Sequence, residues 1–200
     1  MPGQERSFRD SGYREMKRKF YVIFSELNSL DNFGYISKII SSSFFLSHDI
    51  RREVELVIII EEEKLAIKFV GTKIRHIHVD ESSLSGIIKK IKNHIIKGRR
   101  KGSPHTGITI QSYNKIESII PSKSYIEDRK GIYIEKIREN VLKEKEFSII
   151  LLENKKKFPN IMHKFKPVRV TLLEKTISTK ITILNIILDR WLEGKQGIPT

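Results

Sequence analysis

The sequence predicts an α/β fold with a largely parallel sheet. Short apolar runs typical of buried strands alternate along the chain with longer stretches in which apolar residues recur every three or four positions, as on amphipathic helices. The strongest strand patterns are residues 20–24 and 147–152, and a strong helical pattern follows Asp80. Because strands joined by helices commonly pair in parallel, this alternation favours a mostly parallel sheet.

The first third of the chain is expected to contain three strands and one helix. The strands are predicted over residues 20–24, 54–60 and 65–70, with an acidic turn between the last two. The helix is indicated by four residues on one helical face, Ile36, Ile39, Ile40 and Phe44. Residues 1–15 are polar and lack an apolar period, so we expect a disordered extension or a start upstream of the natural one at Met16.

The rest of the chain is expected to contain four strands and two helices. The strands are predicted over residues 107–110, 132–134, 147–152 and 168–172. Asp80 is a good N-cap, and the apolar residues that follow it at helical spacing are Leu84, Ile87, Ile88, Ile91 and Ile95. The last helix carries Ile177, Ile181, Leu184, Leu188 and Trp191. Residues 99–104 are expected to form a loop, and residues 16–200 a single domain.

The composition is strongly basic. Lysine and arginine number 38 against 24 acidic residues, which gives a net charge of +14. Such an excess favours a polyanionic partner, most often nucleic acid, and a basic protein on a membrane surface is the alternative. No apolar stretch approaches the roughly 20 residues of a membrane span, and no apolar core of a secretion signal is present, so we expect a cytoplasmic protein without membrane association.

The residue types argue against several kinds of site. Cysteine is absent, which excludes disulfides and thiolate metal sites, and the abundant lysine, glutamate and isoleucine are typical of heat-adapted proteins. His76 and His78 would share one face of a strand, but no third metal ligand lies nearby in the sequence, so no metal is expected. The glycines lack the spacing of a Rossmann or P-loop phosphate site, which disfavours a nucleotide-hydrolysing enzyme.

A compact polar cluster directly follows Phe44 and Phe45. It consists of His48, Asp49, Arg51 and Arg52. The arginines offer guanidinium groups suited to phosphate or to the edge of a nucleobase. The residue types equally allow a solvated helix end, in which Asp49 caps the helix or pairs with an arginine.

Two further basic runs are candidates for contact with phosphate. Arg99, Arg100 and Lys101 lie between two glycines and could position an RNA without reading its sequence. Residues 155–157 are three lysines that follow a predicted strand, where ligands bind in open α/β sheets. For both runs the alternative is a solvated loop that contributes only charge.

Residues 43–52 resemble the signature of the archaeal tRNA pseudouridine-54 N1-methyltransferase family, a branch of the knotted SPOUT methyltransferases. The similarity continues through residues 66–71, 79–81 and 105–108, and it covers the chain from about Met16 to about Trp191. It implies an open, mostly parallel sheet with helices on both faces and a C-terminal trefoil knot. It also implies a homodimer, S-adenosylmethionine as methyl donor, and methylation of pseudouridine 54 in the T loop of tRNA.

The resemblance also suggests roles for individual residues. Asp49 would accept or orient the proton that leaves the methylated nitrogen. The residues expected to bind RNA are His48, Arg51, Arg52, Arg99, Arg100, Lys101 and Thr106. Those expected to line the cofactor site are Leu152, Leu173, Glu174 and Lys180.

The cofactor region departs from the family pattern at two positions. Leu152 stands where the family has a glycine that lets the backbone approach the ligand, and a leucine adds bulk there. Lys180 replaces the family's cysteine and is expected to repel a sulfonium ligand. The alternative function is therefore a catalytically silent relative that binds RNA without methyl transfer. A third possibility is an unrelated basic module that binds nucleic acid or the ribosome.

Overall fold

A single sheet forms the centre of the molecule. The computed structural model describes residues 16–46, 49–75 and 80–195. The strands in this part of the chain are β1 (Lys17–Phe24), β2 (Val54–Ile60), β3 (Leu65–Val70), β4 (Gly102–His105), β5 (Ile108–Ser112), β6 (Tyr125–Tyr133), β7 (Glu146–Leu152) and β8 (Lys166–Arg169). The helices are α1 (Phe33–Phe44), α2 (Glu81–Ile96), α3 (Arg138–Glu144), α4 (Pro159–Met162) and α5 (Ile177–Leu192).

The sheet is mixed, with a parallel half and an antiparallel half. Its strand order is β4-β5-β3-β2-β1-β7-β6-β8. The strand β1 pairs in parallel with β2 and β7, and β6 pairs in parallel with β7 and β8. The pairs β2–β3, β3–β5 and β4–β5 are antiparallel. The predicted parallel sheet is therefore correct for the central and C-terminal strands, whereas the short turn at residues 61–64 makes β2 and β3 a hairpin.

Two hydrophobic cores cover the two faces of the sheet. Alternate side chains of β1 point to opposite faces: Phe20, Val22 and Phe24 belong to the first core, and Tyr21 and Ile23 belong to the second. The first core includes side chains from α1, α2, α3 and α5. The second is completed mainly by short helical turns and by α4. Helices thus lie on both faces, as expected, but the four longest share one face.

The apolar stripes predicted for the long helices are confirmed. Asp80 caps α2, since its side chain accepts a hydrogen bond from the backbone of Ser83 at 2.7 Å. Thr176 caps α5 in the same way through the backbone of Thr179, at 3.3 Å. All five stripe residues of each helix are buried. Burial of these stripes against the sheet and against neighbouring helices supplies most of the stability of the helices.

Several predicted boundaries are wrong, and β1, for example, begins at Lys17 instead of residue 20. The predicted loop over residues 99–104 contains the start of β4, an edge strand whose register with β5 shifts between Gly102 and His105. The strand predicted over residues 132–134 is only the end of β6, which begins at Tyr125. A bulge between Glu127 and Ile132 divides this strand, and the polar residues of the bulge conceal the strand pattern in the sequence. The strand predicted over residues 168–172 ends at Arg169, so its last residues belong to the loop before α5.

Some expectations concern residues or features that the structure does not test. Residues 1–15, His48, His76 and His78 lie outside the described residues. The C-terminal trefoil knot stays a prediction. Among the described residues, no helix combines the length and the hydrophobicity that a membrane span requires.

Candidate functional site

Two polar clusters lie at opposite ends of α5. The lysine–glutamate cluster consists of Glu127, Lys155, Glu174 and Lys180, and it lies near the N-terminal end of α5. The arginine–aspartate cluster consists of Arg18, Arg51 and Asp189, and it lies near the C-terminal end. The first contains two of the residues expected to line the cofactor site, and the second contains one of the residues expected to bind RNA.

The lysine–glutamate cluster is assembled at the carboxyl ends of β7 and β8, beside the bulge that divides β6. Glu127 lies on β6, Lys155 follows β7, Glu174 follows β8 and Lys180 is in the first turn of α5. Ligands in open α/β sheets bind at this end of parallel strands. The position of the cluster therefore agrees with the cofactor site that the family resemblance implies.

Glu127 is the centre of this cluster. Its side chain is only 2% exposed, and its Oε2 atom accepts a hydrogen bond from Lys180 Nζ at 3.0 Å. Lys155 Nζ lies 3.0 Å from the same oxygen. Lys180 Nζ also donates to Glu174 Oε1 at 2.7 Å. One buried carboxylate thus contacts both lysines of the cluster.

The charge of Lys180 is compensated within the cluster. Burial alone would lower the pKa of Lys180, but the hydrogen bonds and negative charges of Glu174 and Glu127 raise its pKa above the ordinary value. Lys180 therefore stays an ammonium group at neutral pH, held between two carboxylates. The repulsion that the sequence predicts between Lys180 and a sulfonium is largely offset by these partners.

The cluster has groups that fit an amino-acid ligand such as the methionine portion of S-adenosylmethionine. The Oε1 atom of Glu127 is buried and has no hydrogen-bond partner among the described residues. It could accept a hydrogen bond from an amino or hydroxyl group, and the two ammonium groups could hold a carboxylate. Leu172 and Leu173 in the neighbouring loop are exposed and offer apolar surface to a purine ring.

Leu152 does not intrude on this cluster. It ends β7, and its side chain belongs to the core on the second face of the sheet. Lys180 belongs to α5, which packs on the first face and there reaches Glu127. The leucine in place of glycine is therefore directed away from the lysine–glutamate cluster.

The polar cluster that follows Phe45, made of His48, Asp49, Arg51 and Arg52, is called the polar signature below. Its two arginines lie in different surroundings. The side chain of Arg51 is 11% exposed, and its guanidinium donates to Asp189 Oδ1 at 3.0 Å and to Oδ2 at 2.7 Å. The side chain of Arg52 is 48% exposed and lies 3.7 Å from Asp49 Oδ1. Arg51 is therefore held in an internal ion pair, whereas Arg52 is accessible to a ligand.

Asp49 is exposed beside these arginines. Its side chain is 69% exposed and accepts a hydrogen bond from the backbone of Ile50 at 2.6 Å. The contact with Arg52 and this local hydrogen bond match the alternative of local pairing that the residue types allow. Asp49 nevertheless keeps most of its carboxylate surface free for a substrate.

Arg18 anchors the arginine–aspartate cluster to the sheet. Its side chain is almost fully buried, and Nη2 donates to Asp189 Oδ1 at 2.6 Å. Its Nη1 donates to Asn185 Oδ1 at 3.0 Å. Burial alone would raise the pKa of Asp189, but Arg51 and Arg18 together hold that pKa below its ordinary value. This ion-pair network joins β1 and the segment before β2 to α5.

A cleft of about 460 Å³ opens beside this network. It lies at the amino ends of β1 and β2, and its lining residues are Lys17, Arg18, Lys19, Arg52, Glu53, Glu55, Val70 and Thr72. Four basic and two acidic side chains give this surface an excess of positive charge. Its size and charge suit a nucleotide unit.

The loop at residues 99–101 forms a separate basic surface at the outer edge of the sheet. All three side chains are exposed, and Arg100 also donates a hydrogen bond to the backbone carbonyl of Glu63. Thr106 is exposed in the turn between β4 and β5. Gly107 has φ +80°, and a Cβ atom there would lie 2.5 Å from the backbone nitrogen of Ile74, so this turn requires glycine.

The structure does not bring Asp49 and the lysine–glutamate cluster together within one chain. Asp189, which holds the neighbouring Arg51, lies nine residues after Lys180 on α5. Nine residues of helix correspond to about 14 Å. Methyl transfer requires the reacting atoms to lie about 3–3.5 Å apart.

A family comparison identifies the class of protein to which these clusters belong. Residues 32–146, more than half of the chain, match the family model described as "Putative SAM-dependent RNA methyltransferase". The chain belongs to this family. The matched region runs from the start of α1 to the start of β7, so it includes the polar signature, the basic edge loop and Glu127.

Curated proteins with similar sequences are archaeal proteins named tRNA (pseudouridine(54)-N(1))-methyltransferase. The protein of Methanocella arvoryzae is 34% identical over 83 residues, which are 39% of this chain and 43% of that protein. The protein of Methanococcus aeolicus is 28% identical over 134 residues, which are 66% of this chain and 50% of that protein. In these matches the chain spans half or less of the length of its relatives.

The fold has a counterpart among solved structures. The crystal structure of Archaeoglobus fulgidus Nep1 bound to S-adenosylhomocysteine has a TM-score of 0.52 and 9% sequence identity to this RNA methyltransferase family member. The similarity covers 76% of this chain and 67% of that chain. At this identity the likeness is one of fold, and it supports the SPOUT type of α/β fold.

Proposed function

We propose that the protein is an S-adenosylmethionine-dependent methyltransferase that modifies N1 of pseudouridine 54 in the T loop of tRNA. The observation that carries this proposal is membership of the RNA methyltransferase family, together with curated relatives that bear this activity in their names. The basic composition and the fold agree with it. Nothing in the comparisons favours the catalytically silent alternative.

The donor site is proposed at the lysine–glutamate cluster. When bound, S-adenosylmethionine supplies a methyl group that its sulfonium has already activated. Lys155 and Lys180 would hold the carboxylate of the donor, and Glu127 would accept a hydrogen bond from its amino or hydroxyl groups. Leu173 and Glu174 would border the donor from the loop before α5, and the backbone at Leu152 would close the site beside β7.

The RNA site is proposed at the polar signature and the basic edge loop. Arg52 and the cleft at the amino ends of β1 and β2 would hold the target nucleotide and its phosphates. His48 is proposed to bind RNA as well, on the family resemblance alone. The loop Arg99, Arg100 and Lys101 would contact the backbone of the tRNA further away, next to Thr106. Arg51 would act through Asp189, by fixing the segment that carries its neighbours.

Asp49 is proposed to accept or orient the proton that leaves N1 of pseudouridine. Its exposed carboxylate and its position beside Arg52 support this role. Because Asp49 and the donor cluster are well separated in one chain, we propose that two copies form a homodimer in which each active site combines one donor cluster with the other copy's polar signature. The C-terminal trefoil knot is part of the same proposal.

Calorimetry with S-adenosylmethionine and a methyl-transfer assay test this function. We expect the protein to bind S-adenosylmethionine and to transfer its methyl group to a T-loop RNA that contains pseudouridine. Tight binding of that RNA without any binding of S-adenosylmethionine would instead support the silent relative.

A further inference from the structure

We propose that Glu127 determines how strongly the donor site favours the cationic methyl donor over its neutral product. This inference rests on the proposed function, because it concerns the same site. S-adenosylmethionine carries a sulfonium charge, and S-adenosylhomocysteine has lost that charge with the methyl group. The two ligands are otherwise alike, so the charge of the site decides between them.

The first support is the arrangement of charges around Glu127. Two ammonium groups, on Lys155 and Lys180, each lie 3.0 Å from its Oε2 atom. Without this carboxylate, the two lysines would keep as negative partners only Glu174 on Lys180 and Asp128, whose Oδ1 atom lies 3.9 Å from Lys155. Glu174 contacts Lys180, but its side chain is exposed and is screened by solvent.

The second support is the burial of Glu127. Its side chain is among the few charged ones that are buried, and its Oε1 atom has no hydrogen-bond partner among the described residues. A buried carboxylate acts through a lower effective dielectric than an exposed one, so its charge affects a nearby ligand more strongly. An unpartnered buried oxygen also leaves room for a donor group of a ligand.

Loss of the Glu127 charge is expected to affect binding of the donor more than binding of the product. Loss of the Glu127 charge leaves the site with one more net positive charge, which weakens binding of the cationic donor. The neutral product is affected much less, because it has no sulfonium. The ratio of the dissociation constants for donor and product therefore measures the role of Glu127, independently of any effect that both ligands share.

Isothermal titration calorimetry of the full chain with each ligand provides the test. For Glu127→Gln we expect the ratio of the S-adenosylmethionine dissociation constant to that of S-adenosylhomocysteine to rise about tenfold or more relative to wild type. The double variant Glu127→Gln/Lys180→Met removes one charge of each sign, and it should return the ratio toward the wild-type value.

A charge-matched control is available in the same sheet. Glu146 starts β7 at the opposite end of the strand and pairs with Lys19 at 3.1 Å. The variant Glu146→Gln removes one negative charge far from the donor site, so it should leave the ratio unchanged.

The outcomes separate this inference from the proposed function. If the wild type binds both ligands and Glu127→Gln leaves their ratio unchanged, the role of Glu127 is overturned while the donor site stands. If the wild type binds neither ligand, both proposals are overturned. Should Glu127→Gln fail to fold, Lys180→Met serves instead, because removal of one positive charge should shift the ratio in favour of the donor; an unchanged ratio there overturns the role of Glu127.

Discussion

At the scale of single residues, the adjacent Arg51 and Arg52 have different roles. Arg51 points into the molecule, where it forms a bidentate ion pair with Asp189. Arg52 lines the positively charged cleft at the amino ends of β1 and β2. The segment between α1 and β2 therefore uses one arginine to fix itself to α5 and exposes the next one. A sequence pattern alone does not distinguish these two environments.

Substitution of each arginine should separate stability from binding. Arg51→Ala leaves Asp189 with fewer partners, so we expect a lower melting temperature. Arg52→Ala removes an exposed side chain, so we expect an unchanged melting temperature and a loss of RNA affinity of about 1–3 kcal/mol. Melting curves and RNA titrations of both variants check this, and a stable Arg51→Ala with weakened RNA binding would contradict the internal role of Arg51.

The ion pairs of Asp189 should make stability depend on pH in the acid range. Because the pKa of Asp189 is lowered in the folded protein from an ordinary value of 3.8, its contribution is present above that value and is lost as the pH falls through the folded pKa. Asp189→Asn should cost about 1–3 kcal/mol near neutral pH, because the buried Arg18 then keeps only Glu53, 3.7 Å away, as a charged partner.

Urea unfolding at a series of pH values measures this contribution. The difference in unfolding free energy between wild type and Asp189→Asn should shrink below about pH 4. Asp31→Asn is the control, since the exposed Asp31 pairs with the half-buried Lys92 at the surface and its replacement should cost less than about 1 kcal/mol. A difference that stays constant down to low pH would show that the charge of Asp189 is not what stabilises the fold.

Two residues of the proposed donor site are marked by the sequence, whereas its central residue is not. Lys180 and Glu174 are predicted because the family resemblance marks the region around the last helix. Glu127 is not predicted, because a single glutamate before the polar residues 128–131 looks like the start of a turn. Only the pairing of β6 with β7 and β8 shows that this glutamate is buried beside Lys180.

At the scale of elements, the strands that continuous apolar runs define are predicted well. β2, β3 and β7 agree with their predictions to within one residue, because strands buried on both faces need apolar side chains at every position. β4 and β6 are mispredicted, since an edge strand and a bulged strand both contain polar residues. These two strands form because they pair with segments distant in the chain, and the local sequence contains no pattern that indicates this pairing.

The basic edge loop should contribute affinity for RNA without sequence preference. Replacement of Arg99, Arg100 and Lys101 by Ala should weaken binding of all RNAs alike and reduce the slope of the logarithm of affinity against the logarithm of salt by about two to three units. Titrations of a T-loop RNA and an unrelated RNA at several salt concentrations measure both effects.

A charge-matched control lies toward the other side of the sheet. Lys136, Lys143 and Lys166 are exposed near α3 and β8, away from the edge formed by β4. Their replacement by Ala removes the same charge and should change the slope little. An equal effect from both triple variants would mean that net charge, and not the edge loop, governs RNA binding.

At the scale of the whole molecule, α5 connects two polar clusters that lie at its opposite ends and that we propose as parts of the donor and RNA sites. Its first turn contributes Lys180 to the lysine–glutamate cluster, and its last turns contribute Asp189 to the arginine–aspartate cluster. We therefore expect a homodimer, and light scattering at micromolar concentration should give twice the mass of the chain. A clean monomer that still transfers methyl groups would contradict the shared active site.

The central claim is methylation of N1 of pseudouridine 54, and single-turnover methyl transfer to full-length tRNA tests it most directly. Two transcripts should be compared, one with pseudouridine at position 54 and one with uridine. Pseudouridine has a free N1–H, whereas N1 of uridine is bonded to the ribose and cannot accept a methyl group. We expect one methyl group at position 54 of the first transcript and none on the second. Tight tRNA binding with no methyl transfer, or equal methylation of both transcripts, would contradict the account.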